Sequence, residues 1–182
     1  MRLFVGVDLP GEVKDELAGL ITTLRSKASD EKWIPRDNLH LTVSFLGEVN
    51  EERVPAIVEA LTGARANERG PIPTALGGTG AFPSPRRARV LWVSLDDPAG
   101  RLAALANRVQ DSLEPAGFPK EKRAWTPHLT LARFRTPGDA SALKTARPEP
   151  RAFEVEEITL FRSRLGRPAP AYEPLDRIRL DR

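Results

Sequence analysis

The chain contains no cysteine and only two histidines in 182 residues. The lack of cysteine excludes disulfide bonds, thiolate metal sites and cysteine nucleophiles. No apolar run reaches the length of a membrane-spanning helix, and Asp8 interrupts the apolar N-terminus, which is therefore unlike a signal peptide. We expect a cytoplasmic protein without membrane contact, large enough to bury a core as one domain or two small fused lobes.

The chain also lacks a large excess of either charge, because it has 28 basic and 25 acidic residues and a net charge of +3. The basic residues are mostly arginines, and they are spread along the chain rather than grouped in runs. This composition favours a polyanionic partner over a cationic one without identifying it.

Alternation and β-branched or aromatic content predict seven strands separated by glycine and proline. The strands are expected over residues 2–9, 39–47, 74–82, 88–95, 127–134, 153–164 and 172–180. Apolar residues at helical spacing predict amphipathic helices after Pro10, Asn50 and Pro98. Helices are therefore expected between the strands.

Both histidines occur in the same three letters, H-L-T, at positions 40–42 and 128–130. Their common spacing of 88 residues suggests a weak internal duplication, visible chiefly at these two motifs. Because side chains two apart share one face of a strand, His40 and Thr42 are expected on one face, with Phe45 on the other. His128 and Thr130 repeat this arrangement, so each strand offers an imidazole and a hydroxyl together.

The small fifth residue of each motif, Ser44 or Ala132, is expected to keep the histidine face open beyond the threonine. This open surface suits a groove.

Several kinds of site use histidine in such a position. A lone histidine on a half-buried strand is commonly a hydrogen-bonded structural residue, but the repeated motif argues against that here. A zinc site lacks further histidine, cysteine or acidic ligands near the motifs, and a serine hydrolase lacks the G-x-S-x-G turn. Two imidazoles on opposite sides of a phosphorus atom can act as proton donor and acceptor near neutral pH.

The chain resembles the 2H phosphoesterases, a superfamily named for two H-x-T/S-x motifs. In particular it resembles the bacterial RNA 2',3'-cyclic phosphodiesterases, also described as LigT-like 2'-5' RNA ligases. The resemblance covers nearly the whole chain through RLFVGVDLP, NLHLTVSFLGEV, GAFPSPRRARVLWVSL and WTPHLTLARF. It implies one 2H phosphoesterase domain over residues 1–182, made of two intertwined lobes. The implied fold is α+β and bilobal. Two antiparallel sheets related by a pseudo-two-fold axis are expected to form a V-shaped groove, with the helices outside.

The same resemblance implies a function. The expected reaction is hydrolysis of a 2',3'-cyclic phosphate on an RNA end or nucleotide to a 2'-phosphate, without metal or other cofactor, by a monomer. His40 is the expected proton donor and His128 the proton acceptor, while Thr42 and Thr130 hold the phosphate. Two alternatives stay open, the reverse 2'-5' ligation and a module that binds RNA ends or nucleotides without turnover.

Five basic residues are candidate RNA or phosphate contacts. Arg133 ends the second motif, although strict strand alternation places it opposite His128 unless a bulge redirects it. Arg36 lies shortly before His40, and the segment PKEKRAW, with Lys120, Lys122 and Arg123, is expected at the mouth of the groove.

Overall fold

The computed structural model describes residues 1–27, 32–65, 68–143, 146–167 and 169–180. This part of the chain contains nine strands and three α-helices. The strands are β1 (Arg2–Asp8), β2 (Lys32–Trp33), β3 (His40–Glu48), β4 (Ile72–Phe82), β5 (Ala88–Leu95), β6 (His128–Gly138), β7 (Ala152–Val155), β8 (Glu157–Arg164) and β9 (Ala171–Arg179). The helices are α1 (Gly11–Arg25), α2 (Val54–Arg65) and α3 (Arg101–Leu113). The predicted strand over 153–164 is two strands, and the two-residue β2 was not predicted because its sequence has no visible alternation.

All strand pairs are antiparallel, in the order β7-β4-β5-β6-β3-β1-β8-β9, and β2 pairs with β6. The two central strands, β6 and β3, carry the H-L-T motifs. They are joined through a single residue pair, Leu41 with Leu129. The expected α+β fold with two related antiparallel halves is confirmed, and the halves meet at this pair to form one curled sheet.

The internal duplication extends further than the motifs. At the same spacing of 88 residues, Leu3-Phe4-Val5 in β1 corresponds to Leu91-Trp92-Val93 in β5, and Asp8 corresponds to Asp96. Each of these strands is followed by a helix, α1 or α3, and then by an H-L-T strand. The repeated unit is therefore strand, helix and motif strand.

The helices cover only one face of the sheet. Their buried residues, such as Leu17 of α1 and Leu105 of α3, belong to the same core cluster as Leu41 and Leu129. Each fully buried leucine contributes about 1.5–3 kcal/mol through loss of apolar surface from water. Since the leucines of both motifs point into this core, the neighbouring histidines and threonines are left on the uncovered face.

A buried carboxylate ties α3 to the chain that follows α2. Glu68 accepts hydrogen bonds from Arg101 at 2.5 Å and from Arg108 at 2.6 Å, and its side chain is only 5% exposed. Burial raises the pKa of this carboxyl, but the hydrogen bonds from Arg101, the Arg69 backbone and Arg108 outweigh it and hold the pKa below its ordinary value. Glu68 is thus charged and paired in the fold.

Replacing Glu68 with glutamine is expected to lower the free energy of unfolding by about 2 kcal/mol, measured by urea denaturation. Two guanidinium groups lose their counter-charge, while water still reaches both of them. Because the pKa of Glu68 is lowered in the folded state, its stabilisation is present above the ordinary pKa of 4.5 and disappears as pH falls through the folded-state value.

The matched control is Glu59→Gln on the exposed side of α2, which should change stability by less than about 0.5 kcal/mol. Equal effects of the two substitutions, or a difference from wild type that grows in acid, would contradict a stabilising role for the Glu68 cluster.

Candidate active site

Both histidine rings are held in the same way by the backbone before their strands. His40 Nδ1 donates to the carbonyl of Asn38 and His128 Nδ1 donates to the carbonyl of Thr126, each at 2.7 Å. A carbonyl can only accept, so the proton of a neutral ring must sit on Nδ1. Nε2 of each ring is therefore the nitrogen that can gain or lose a proton.

The pairing of the two motif strands brings the four polar side chains together. With Leu41 opposite Leu129, antiparallel register places His40 opposite Thr130 and Thr42 opposite His128. Thr42 Oγ1 also lies 2.9 Å from His40 Nε2, so the hydroxyl donates to the neutral ring. Each histidine thus has a threonine from the other motif as its cross-strand neighbour.

A β-bulge interrupts each motif strand at the same position. Val43 is the extra residue of β3, since Gly6 pairs with Thr42 and the next residue, Val5, pairs with Ser44. Leu131 is the extra residue of β6, where Trp92 pairs with Thr130 and Leu91 with Ala132. Alternation restarts after each bulge, so residues beyond it change faces.

The bulges correct two expectations and decide a third that was left open. Ser44 and Ala132 are buried, at 8% and 0% exposure, and do not line the open face as predicted. Phe45, expected on the face opposite His40, joins the histidine face and is 58% exposed. Arg133 reaches the same face as Thr130, contrary to strict alternation, because Leu131 occupies the extra position.

The open face contains a cavity of about 560 Å³ between the motif strands and the chain around Leu165 and Pro170. His40, Thr42, Thr130 and Arg133 all line it. His128 lies beside this cavity rather than in its lining, next to Phe82 and Trp92.

Sequence reasoning missed two further cations that line this cavity, Arg2 and Lys32. Arg2 lies two residues before Phe4, whose ring is 4.8 Å from that of His40, so period-two alternation along β1 would have found it. Lys32 lies beside Arg133 across the β2–β6 pair, and no sequence pattern indicates that pairing.

The ring of His40 is enclosed more fully than a typical surface histidine. Phe4 and Tyr172 contact it at centroid distances of 4.8 and 5.1 Å. Burial lowers the pKa of His40 below 6.5, and the positive charges of Lys14 and Arg133 lower it further. The Asn38 carbonyl and the Asp8 carboxylate act in the opposite direction without cancelling the shift. Without a bound anion, His40 is therefore mainly neutral at pH 7.

The other predicted basic residues lie outside the cavity. Arg36 is bound to α1, where it contacts Asp15 at 2.6 Å and the Gly11 carbonyl at 3.2 Å. Its neighbour in sequence, Asp37, takes a further hydrogen bond from it. These contacts place the Arg36 guanidinium on the helix side, outside the lining of the cavity.

The basic segment does not line the mouth of this cavity either. Lys120, Lys122 and Arg123 line a separate depression beside α3, of about 430 Å³. Where the segment runs along the helix, Lys120 forms ion pairs with Asp111 and Glu114 of that region.

Within the described ranges, no three histidine, cysteine or acidic residues come close enough together to hold a metal ion. Among the helices of the same ranges, none combines the length and apolarity needed to cross a membrane.

A model of the 2'-5' RNA ligase superfamily matches residues 13–167, which include both H-L-T motifs. The RNA 2',3'-cyclic phosphodiesterase of Archaeoglobus fulgidus is 33% identical over 178 residues, covering 96% of this chain and 98% of that protein. The protein of the same name from Escherichia coli strain K12 is 32% identical over 178 residues, with 97% and 94% covered.

Solved structures show the same fold. A crystal structure of a Thermus thermophilus protein superimposes with a TM-score of 0.83 at 30% identity, covering 99% of this chain and 98% of that one. The crystal structure of E. coli LigT complexed with 3'-AMP has a TM-score of 0.80 at 30% identity, covering 100% and 98%.

The enclosure of His40 leads to a titration prediction that can be measured by NMR, since the chain has only two histidines. The His40 ring signals, assigned with a His128→Asn variant, should titrate below pH 6.5 in the free protein. The Arg133→Gln variant should raise this pKa because it removes a nearby positive charge.

The matched control is Arg135→Gln, on the same strand but outside the cavity lining, which should leave the titration unchanged. A free-protein midpoint at or above 6.5 would show that burial does not control His40.

Proposed function

Because the chain belongs to the 2'-5' RNA ligase superfamily, we propose that it is an RNA 2',3'-cyclic phosphodiesterase. In this proposal the enzyme opens a 2',3'-cyclic phosphate at an RNA end and leaves a 2'-phosphate. The observation that carries it is the pair of imidazoles with fixed Nδ1–H groups, each opposite the threonine of the other motif. Such a pair can remove one proton and deliver another around a single phosphate.

The proposed reaction is an in-line displacement at phosphorus. Water attacks the phosphorus atom while Nε2 of His128 accepts its proton, and a new P–O bond forms. The bond from phosphorus to the 3' oxygen breaks, and Nε2–H of His40 gives its proton to that oxygen. The products are a 2'-phosphate and a 3'-hydroxyl, with the two histidines left in exchanged protonation states.

The threonines and Arg133 are proposed to bind the phosphate. Thr42 and Thr130 come from facing strands, so their hydroxyls can donate to the two non-bridging oxygens where negative charge builds up. Arg133 supplies a positive charge to the same cavity. Fixed positions for these donors reduce the entropy cost of reaching the transition state.

The donor role of His40 requires a protonated ring, although burial favours the neutral one. We infer that the bound substrate itself stabilises the protonated ring. A phosphate anion near Nε2 favours the imidazolium form and offsets the positive charges of Lys14 and Arg133. Protonation also ends the acceptance of the Thr42 hydrogen bond by Nε2, so the hydroxyl is released to donate to phosphate.

The decisive experiment incubates the purified protein in EDTA with an oligonucleotide that ends in a 2',3'-cyclic phosphate. Conversion to a 2'-phosphate, identified by mass and by sensitivity to phosphatase, supports a metal-independent hydrolase. Binding without conversion would point to a non-catalytic module, and 2'-5' joined product with an added 5'-hydroxyl strand would point to ligation. Loss of activity in EDTA with rescue by a divalent ion would overturn the two-histidine mechanism.

Substitutions should separate proton transfer from phosphate binding. His40→Ala and His128→Ala are each expected to lower kcat by about 10²- to 10⁴-fold, because each removes one proton-transfer group. Thr42→Ala and Thr130→Ala should have smaller effects, measured as kcat and KM on the same substrate.

Circular dichroism and thermal melting of each variant control for folding. Near-normal rates in both folded histidine variants would mean that the reacting groups lie elsewhere in the protein.

A substrate with sulfur in place of the 3' oxygen should assign the two roles. Sulfur leaves without protonation, so this substrate should restore much of the rate of His40→Ala and little of the rate of His128→Ala. Rescue of His128→Ala alone would reverse the assignment, and rescue of neither would argue against a rate-limiting proton donation.

A further inference from the structure

The depression beside α3 has features that the proposed reaction does not use. Its volume of about 430 Å³ is bounded by α3 on one side and residues 120–125 on the other. Trp125 links it to the active site, because its Nε1 donates to the Thr42 carbonyl at 3.1 Å. Arg123 precedes His128 by five residues, a reach of at most about 18 Å of extended chain.

The three cations of this depression differ in their pairing. Lys120 is neutralised by Asp111 at 2.6 Å and by Glu114 at 3.4 Å. Lys122 and Arg123 are exposed, and within the described ranges neither side chain forms an ion pair or hydrogen bond. Two cations are therefore available to a ligand, even though the carboxylates of Asp111 and Glu121 also line the depression.

A buried amide adds a second and independent observation. Gln110, which lines the depression, is only 6% exposed, and its Oε1 accepts the Glu121 backbone N–H at 3.2 Å. That bond fixes the amide orientation, since only the oxygen can accept. Nε2 is left buried without an acceptor among the described residues. Buried donors are nearly always paired, so this one calls for an acceptor that the rest of the described protein does not supply.

The size of the proposed catalytic cavity limits how much of a substrate it can hold. At about 560 Å³, it falls within the range of pockets that hold one small ligand. If the substrate is an RNA end, the nucleotides on the 5' side of the cyclic phosphate must lie outside this cavity.

We propose that the depression formed by Gln110, Lys122, Arg123 and Trp125 binds the single-stranded RNA backbone on the 5' side of the cyclic phosphate. Lys122 and Arg123 pair with phosphates, the Gln110 amide donates to an acceptor on the strand, and Trp125 forms the apolar wall next to the catalytic strand. This inference rests on the proposed function and extends it from the terminal nucleotide to the strand that carries it.

The test compares KM for a cyclic mononucleotide with KM for a short oligonucleotide that has the same cyclic end. In wild type the oligonucleotide should have the lower KM, and its advantage should shrink as salt rises. The double variant K122Q/R123Q should lose most of this advantage, with kcat and the mononucleotide KM unchanged. Removal of two phosphate contacts should reduce the slope of log affinity against log salt by about 1.4, since each contact on a single strand contributes about 0.7.

The matched control is Lys120→Gln in the same segment. Because Lys120 is already paired with two carboxylates, its loss should leave the length advantage intact. An equal effect of Lys120→Gln would show that overall charge causes the length advantage, and would overturn the proposed site. Gln110→Met, checked for folding by thermal melting, should weaken oligonucleotide binding without affecting the mononucleotide.

The remaining outcomes separate this inference from the proposed function. Turnover of the cyclic mononucleotide with no length advantage, or with an advantage that survives K122Q/R123Q, overturns the site and leaves the function standing. Loss of the length advantage in Lys32→Gln instead would show that the RNA strand runs out of the cavity along β2. Absence of turnover on both substrates overturns the proposed function itself.

Discussion

The pairing of Leu41 with Leu129 is the contact on which the rest of the structure depends. It is the single residue pair that joins the central strands of the two halves, and both leucines are almost completely buried, at 1% and 0% exposure. Burial of these side chains against the helices orients the strands, and antiparallel register then sets their polar neighbours opposite one another. One apolar contact therefore aligns two histidines and two threonines on the other face of the sheet.

The bulges decide what surrounds those four groups. A regular strand would bury Phe45 and Arg133 and leave Ser44 and Ala132 on the open face. An extra residue at equivalent positions of the duplicated unit, Val43 in β3 and Leu131 in β6, reverses this order. The same backbone device thus places an aromatic ring at one motif and a guanidinium at the other.

Differences between the repeats also distinguish the two histidines. Lys14, which lowers the pKa of His40, corresponds by the 88-residue spacing to the apolar Leu102. Tyr172 adds a contact to the His40 ring, while Phe82 occupies the flank of His128. The two imidazoles of the duplicated motif therefore lie in different surroundings, which is the kind of difference that separates the pKa values of paired titratable groups.

The sequence alone determined most strand positions, the three helices and the four polar residues of the motifs, while the α+β class followed from the resemblance to a known superfamily. These features depend on local periodicity and on a motif that recurs at one spacing, so they can be recognised without knowledge of the fold. Tertiary structure decided which cations share the cavity. Arg36 is bound by Asp15 across 21 residues, and Lys120 pairs with Asp111 of α3, while Lys32 enters the cavity through the pairing of β2 with β6. An arginine or lysine side chain is long and strongly hydrated, so its location is set by the carboxylates and strands that the fold brings near it rather than by its neighbours in sequence.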